Sequence, residues 1–226
     1  MNLDNLPKEL FPKLAMVGYS FVNDQDQKEL NLYNGIASEH SFHAFITDPA
    51  AIAELNLNNK TAICSINYPY PSLLEEDIIV MVKGFQKKFP KLKGYLISLN
   101  KYNIVKERWD RIRDFLKDLD ETIEGEIYVS IDVRWFKSGQ ALAHFFSIAG
   151  FYKKISLVIS CHGHTKDINV KDLQDWAFAA KTSALNPVMY FGPPPSEVEA
   201  IIALLDAGFD YIAIPFKLGV EFVTRL

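Results

Sequence analysis

The chain has 226 residues, of which 49% are apolar and 13% aromatic, and its net charge is −4. This composition excludes a disordered chain, because enough apolar surface is present to form a core, and it excludes the strongly basic surface typical of nucleic-acid binders. The apolar runs are shorter than the roughly 20 residues that span a bilayer, and the first residues carry no secretory signal. Only two cysteines, Cys64 and Cys161, are present. We therefore expect a cytoplasmic protein that binds neither nucleic acid nor membrane.

In chain order, short apolar runs rich in β-branched and aromatic residues alternate with longer segments of helical periodicity. Successive runs are separated by enough residues for a crossover helix, which predicts parallel strands. The predicted strands cover residues 14–19, 42–47, 61–66, 94–99, 127–133, 155–161, 187–191 and 211–214.

Four of the intervening segments show a clear amphipathic helical pattern, at residues 72–89, 106–119, 170–180 and 196–207. Ser72 followed by Glu75 predicts a capping box, and Ser196 and Gly208 predict the start and the end of the last helix. No linker or change of composition divides the chain, so we expect a single domain over residues 1–226. Eight β-then-α units predict a closed (β/α)₈ TIM barrel, with an open flavodoxin-like sheet as the alternative.

Several segments carry a family likeness that covers nearly the whole chain. The strand and turn segments 44–49, 62–69, 95–100 and 128–132, together with the last helix and its turn at 197–212, resemble those of the deoxyribose-phosphate aldolase family of class I aldolases. The resemblance implies a TIM barrel with lyase chemistry at the carboxyl ends of the strands. It also implies a homo-oligomer, and we expect a homodimer.

The catalytic residues of that family are not matched. The resemblance implies a lysine on strand six that forms a Schiff base with an aldehyde, a second lysine on strand seven and an aspartate on strand four. Our alignment places Ile159, Met189 and Leu96 at these positions. We therefore predict that no amine points into the barrel and that Schiff-base activity has been lost. Lys101 is expected to point outward.

The phosphate site that the resemblance implies is also altered. The Gly-Gly turn after strand seven becomes Gly192-Pro193-Pro194, and proline has no N–H to donate. Lys217, after strand eight, supplies a charge that a sugar-phosphate-like ligand could meet.

Polar residues at the carboxyl ends of the strands are the remaining candidates, because the site of such a barrel lies there. Asp132 with Arg134 two residues on is either an acid/base group or an ion pair that closes the mouth. Residues 160–165 contain Cys161, His162 and His164, which form either a polar loop or part of a metal site. The candidate catalytic residues are Asp132, His162 and His164, and the candidate ligand-binding residues are Asn67, Asn100, Arg134, Tyr190 and Lys217.

Two functions follow from these patterns. The first is an aldolase-like barrel without Schiff-base chemistry that binds a small carbonyl or sugar-phosphate-like ligand. The second is a diverged lyase that uses Asp132 with His162 or His164 as acid and base, with or without a metal ion. No dinucleotide, P-loop or serine-hydrolase motif is present, so we expect no cofactor.

Overall fold

The eight predicted strands form a closed parallel barrel in the order of the sequence. A computed structural model describes residues 8–18, 42–49, 52, 62–66, 74–160, 170–192 and 198–215. The strands are β1 (Leu14–Gly18), β2 (Ala44–Thr47), β3 (Ala62–Ser65), β4 (Gly94–Ser98), β5 (Glu126–Asp132), β6 (Ile155–Ser160), β7 (Val188–Phe191) and β8 (Tyr211–Pro215). Pairing of β1 with β8 closes the sheet. The predicted TIM barrel is therefore confirmed, and the open sheet is wrong.

Six α-helices surround the barrel within the described ranges. They are α1 (Glu75–Lys88), α2 (Lys101–Val105), α3 (Trp109–Thr122), α4 (Gly139–Ala149), α5 (Val170–Thr182) and α6 (Val198–Asp206). The four predicted helices correspond to α1, α3, α5 and α6. None of these helices combines the length and the apolar character that crossing a membrane would need.

Alternation along each strand separates two layers of core. One set of side chains fills the barrel, and the other set packs between the strands and the helices. This double burial explains why the strands are apolar on both faces. The inner cluster consists of Ala15, Val17, Ala44, Ile46, Ile63, Leu96, Tyr128, Val158, Met189, Phe191 and Ala213.

The start of α1 differs from the sequence prediction. The helix begins at Glu75 with Leu74 as its N-cap, and no side chain caps it. The capping box of Ser72 and Glu75 is therefore wrong, because Glu75 is used elsewhere: its Oε1 accepts a hydrogen bond from Asn103 Nδ2 at 2.5 Å. Ser72 itself lies outside the described residues.

The other helix ends follow local signals. Asn100 caps α2, where its Oδ1 accepts from Tyr102 N at 2.9 Å, and this separate helix explains why α3 begins later than predicted. At the end of α6, Gly208 has φ +106, so the predicted stop signal is confirmed. Ser196, the predicted N-cap of α6, lies outside the described residues.

Candidate functional site

Four buried serines lie at or near the carboxyl ends of consecutive strands. Ile63, Leu96, Tyr128 and Val158 belong to the inner cluster, and the residue two positions after each of them also faces inward. These positions form a surface that we call the serine wall, and its members are Ser65, Ser98, Ser130 and Ser160. Ser98 pairs in register with Ser130, so their side chains are neighbours on the same face of the sheet. Hydroxyl groups both donate and accept hydrogen bonds, and the wall therefore gives this half of the barrel interior a polar character.

Asp132 continues the polar surface at the mouth, next to Ser160 in the strand register. Its side chain is only 5% exposed, whereas that of Arg134 is 42% exposed. Strand β5 ends at Asp132, and a short 3₁₀ turn over Val133–Trp135 brings the guanidinium of Arg134 back onto the carboxylate. Arg134 Nε donates to Asp132 Oδ1 at 2.8 Å, and Nη2 donates to Oδ2. The predicted pairing of these two residues is confirmed.

Asp132 also holds the backbone of the turn, since its Oδ1 accepts from Arg134 N at 3.0 Å. The carboxylate thus fixes both the backbone and the side chain of Arg134. A planar guanidinium held in this way is suited to bind a carboxylate or phosphate group of a ligand at the mouth.

Of the three side chains matched to the family's catalytic residues, two face into the barrel as predicted and one does not. Leu96 and Met189 face into the barrel, in the inner cluster. Ile159 does not, because it belongs to the outer cluster between strand and helices. The expected inward position of Ile159 is therefore wrong, and Val158, which pairs with Met189, is an inward residue of β6. None of these three inward side chains carries an amine.

Two predicted ligand residues have structural roles. Asn100 caps α2, as described above. Tyr190 belongs to the outer cluster, and its ring contacts Phe209 with centroids 5.5 Å apart. The prediction that Tyr190 binds a ligand inside the barrel is not supported by this position, because its neighbours on β7, Met189 and Phe191, are the inward residues. Lys101 is exposed at the start of α2.

The remaining candidates, Asn67, His162, His164 and Lys217, lie outside the described residues, as does Cys161. Within the ranges that the structure describes, no three His, Cys, Asp or Glu side chains converge on a position for a metal ion. Cys64 lies outside the barrel lumen in the outer cluster, where burial raises the pKa of its thiol to about 12. A thiol in this environment is protonated and is a poor metal ligand.

A second polar cluster, which the sequence analysis missed, lies at the opposite, N-terminal end of the barrel. We call it the floor cluster, and it consists of His43, Lys93, Glu126, Tyr128 and Tyr211. The ring of His43 stacks on that of Tyr211 with centroids 3.3 Å apart, and Lys93 Nζ lies 3.3 Å from His43 Nδ1. The sequence analysis took its candidate residues from the carboxyl ends of the strands. Residues at the amino ends, where the floor cluster lies, were therefore not candidates. The signal is a charged or aromatic residue at the beginning of β2, β4, β5 and β8.

Several of the solved structures that resemble this chain are aldolases. An aldolase named QR15 superposes with a TM-score of 0.77 at 15% identity, covering 96% of this chain and 97% of its own. A protein from Coccidioides immitis assigned as a deoxyribose-phosphate aldolase has a TM-score of 0.79 at 9% identity, covering 97% and 87% of the two chains. The chain has the fold of the deoxyribose-phosphate aldolases.

A further similar structure is that of an enzyme described as a tetramer. The tetrameric deoxyribose phosphate aldolase of Aeropyrum pernix has a TM-score of 0.66 at 13% identity, covering 95% of this chain and 90% of that one. No family model and no curated protein matches the sequence. The resemblance read from the strand segments is thus borne out at the level of the fold.

Proposed function

We propose that this aldolase-fold chain binds a small phosphorylated or carboxylated carbonyl compound at the mouth of the barrel and does not form a Schiff base with it. The observation that carries this proposal is the contrast between two sets of inward residues. The serine wall and Asp132 are polar, whereas Leu96, Val158 and Met189 are apolar.

The serine wall favours a ligand with hydroxyl or carbonyl oxygens. Serine hydroxyls can donate to or accept from the oxygens that a sugar-like compound carries at nearly every carbon. Arg134 adds a cation at the rim, which favours a phosphate or carboxylate at one end of the ligand. These features support a sugar-phosphate-like ligand over a purely apolar one.

Schiff-base formation requires an amine that loses its proton near neutral pH inside the site. The inward side chains on β4, β6 and β7 at the level of the family's catalytic groups carry no nitrogen. A carbonyl compound bound against the serine wall would therefore meet hydroxyl groups and not an amine. This arrangement supports binding without the covalent step.

The diverged-lyase hypothesis stays a prediction, since His162 and His164 lie outside the described residues. Asp132, its third member, already accepts hydrogen bonds from Arg134 through both carboxylate oxygens. A carboxylate engaged in this way is better suited to position Arg134 than to exchange a proton with a substrate.

Ligand-induced stabilisation tests the proposal. We expect deoxyribose phosphate to raise the melting temperature of the wild-type chain, because a ligand that binds only the folded state stabilises it. Arg134→Ala should abolish most of the shift, whereas Arg113→Ala should preserve it. Arg113 is a matched control, because it lies in α3 and pairs with the exposed Asp110 away from the mouth. A shift that survives Arg134→Ala, or no shift at millimolar deoxyribose phosphate, glyceraldehyde phosphate and pyruvate, contradicts the proposal.

A further inference from the structure

A surface depression beside the floor cluster is lined by three lysines. It has a volume of about 370 Å³, lies at the amino ends of β4, β5 and β6, and is lined by Lys93, Lys153 and Lys154. The ion pairs formed among the described residues include none of the three. Their charges are therefore not neutralised by a paired carboxylate within the part of the chain that the structure describes, and an anion in the depression would meet all three.

Main-chain hydrogen bonds hold two of these lysines on either side of the start of β5. Glu126 N donates to the carbonyl oxygen of Lys93 at 3.2 Å, and Ile127 N donates to that of Lys154 at 3.1 Å. Gly125, just before the strand, has φ +124, and a Cβ there would lie 3.2 Å from the carbonyl oxygen of Lys93. Strand pairing thus fixes the positions of lysines that are distant in the sequence.

The ammonium groups of the same two lysines are anchored by uncharged main-chain oxygens. Lys93 Nζ donates to the carbonyl oxygen of His43 at 3.0 Å and lies 3.3 and 3.4 Å from the two nitrogens of that ring. Lys154 Nζ donates to the carbonyl oxygens of Asp120 and Ile123 at 2.6 and 3.0 Å. An ammonium has three hydrogens, so these contacts position both groups and leave hydrogens for a ligand.

A hydroxyl and a carboxylate in the lining limit which anions fit. Ser156, which is 5% exposed, lines the depression with a hydroxyl that can donate to an anion. Glu126 also lines it, and its Oε2 accepts the hydrogen of the Tyr128 hydroxyl. An ionised carboxylate can only accept hydrogen bonds. An anion beside Glu126 must therefore offer a hydrogen, because otherwise two acceptors of like charge would face each other.

We propose that the depression at the floor binds a small oxyanion that retains a hydrogen, and that this ligand is free inorganic phosphate. The ammonium groups of Lys93, Lys153 and Lys154 bind the charged oxygens, and the remaining hydroxyl of the phosphate donates to Glu126. Three ammonium groups against one carboxylate leave the lining positive, which favours an anion overall. This site lies at the opposite end of the barrel from the mouth and does not rest on the function proposed there.

Calorimetric titration at pH 7.5 tests this selectivity with inorganic phosphate, sulfate and methyl phosphate. All three are mainly dianions at this pH, but only inorganic phosphate still carries a hydrogen, since a phosphate monoester loses its last one near about pH 6. We expect inorganic phosphate to bind at least about tenfold more tightly than the other two, because only it forms the hydrogen bond to the carboxylate. Equal affinities, or no binding of millimolar phosphate, would overturn the proposal. Methyl phosphate separates free phosphate from the phosphate group of an organic compound.

A charge-neutral variant of the carboxylate tests the cause of the selectivity. Glu126→Gln supplies an amide that can donate, so sulfate should bind to within about threefold of phosphate. Glu124→Gln is the matched control, because it removes an exposed carboxylate two residues earlier that is not part of the lining. It should keep the wild-type preference for phosphate. An unchanged preference in Glu126→Gln would show that the carboxylate does not select the ligand and would overturn the proposal.

Lysine variants locate the bound ion. Lys153→Gln, at an exposed position where folding should not suffer, is expected to weaken phosphate binding at least about threefold. Lys91→Gln removes an exposed lysine outside the lining and should leave the affinity unchanged. The same titration in Arg134→Ala removes the cation of the mouth and should retain the floor affinity. Full affinity in Lys153→Gln, or phosphate binding that disappears in Arg134→Ala, would overturn the floor site without bearing against the function proposed for the mouth.

Discussion

His43 makes the stability of the chain depend on pH in a predictable direction. The unfolded imidazole takes up a proton near pH 6.5, whereas the folded one does so only near pH 3. Unfolding therefore binds a proton in this interval, and the folded state loses stability as the pH falls from about 6.5 towards 3. His43→Gln should show a smaller loss of unfolding free energy between pH 7 and pH 5 than the wild type, as measured by urea denaturation.

The matched control for this experiment is His144→Gln, which changes an exposed imidazole on α4 that contacts Trp109. It should retain the wild-type pH dependence. If the unfolding free energy falls equally between pH 7 and pH 5 in His43→Gln and in the wild type, then His43 does not titrate differently in the folded and unfolded chains.

Asp132 should matter more for stability than an aspartate in an exposed ion pair. Asp132→Asn keeps an oxygen for Arg134 N but removes the charge that the guanidinium faces, and we expect a loss of about 1–3 kcal/mol. Asp110→Asn, in the exposed pair with Arg113, should cost at most about 0.5 kcal/mol. Urea denaturation at pH 7 measures both. Equal losses would show that burial of Asp132 adds nothing to its ion pair.

At the level of single residues, the sequence allowed some of the site to be predicted. Asp132 and Arg134 were paired correctly because a spacing of two residues keeps them close whether the strand continues or turns. The inward position expected for Ile159 is wrong, because successive side chains of a strand point to opposite faces and a shift of one residue reverses the direction of each. The serine wall was missed because serine is common and only the register of four strands shows that these hydroxyls lie together.

Among the elements, the contact between α4 and α5 is tight enough to exclude a methyl group. A Cβ at Gly150 would lie 1.6 Å from the backbone oxygen of Ser183, so Gly150→Ala forces the backbone to shift. We expect a loss of about 1–3 kcal/mol, the usual cost of overpacking. Because Gly150 has φ −66, alanine meets no backbone strain there, and the effect isolates packing.

Gly84→Ala is the matched control for this contact. Gly84 is exposed within α1, and a Cβ there meets nothing within 4 Å. Alanine should therefore stabilise the helix by about 0.5–1 kcal/mol. Thermal unfolding of the two variants should give shifts of opposite sign, and a stabilising Gly150→Ala would contradict the close approach.

The elements themselves were largely predictable from the sequence. Apolar runs located all eight strands to within two residues, because burial on both faces leaves a strong signal. The start of α1 was not predictable, since the contact of Glu75 with Asn103 joins residues that are distant in the sequence. Helix α2 was missed because five residues are too few to show a helical period.

On the scale of the whole molecule, closure of the barrel separates two polar ends by an apolar middle. The carboxyl ends of the strands carry the serine wall and Asp132, whereas the amino ends carry the floor cluster. Apart from Tyr128, which the two clusters share, the inner cluster is apolar and lies between them. We therefore expect a change at the floor, such as His43→Gln, to leave the ligand-induced rise in melting temperature at the mouth unchanged.

The most direct measurement of the central claim is borohydride trapping. The chain is incubated with deoxyribose phosphate or acetaldehyde and sodium cyanoborohydride, and peptide mass spectrometry locates any adduct. Our account predicts that deoxyribose phosphate is not cleaved and that no adduct forms at the mouth of the barrel. A stoichiometric adduct on a lysine that follows a strand in the sequence, such as Lys101 or Lys217, accompanied by release of acetaldehyde from deoxyribose phosphate, would contradict it.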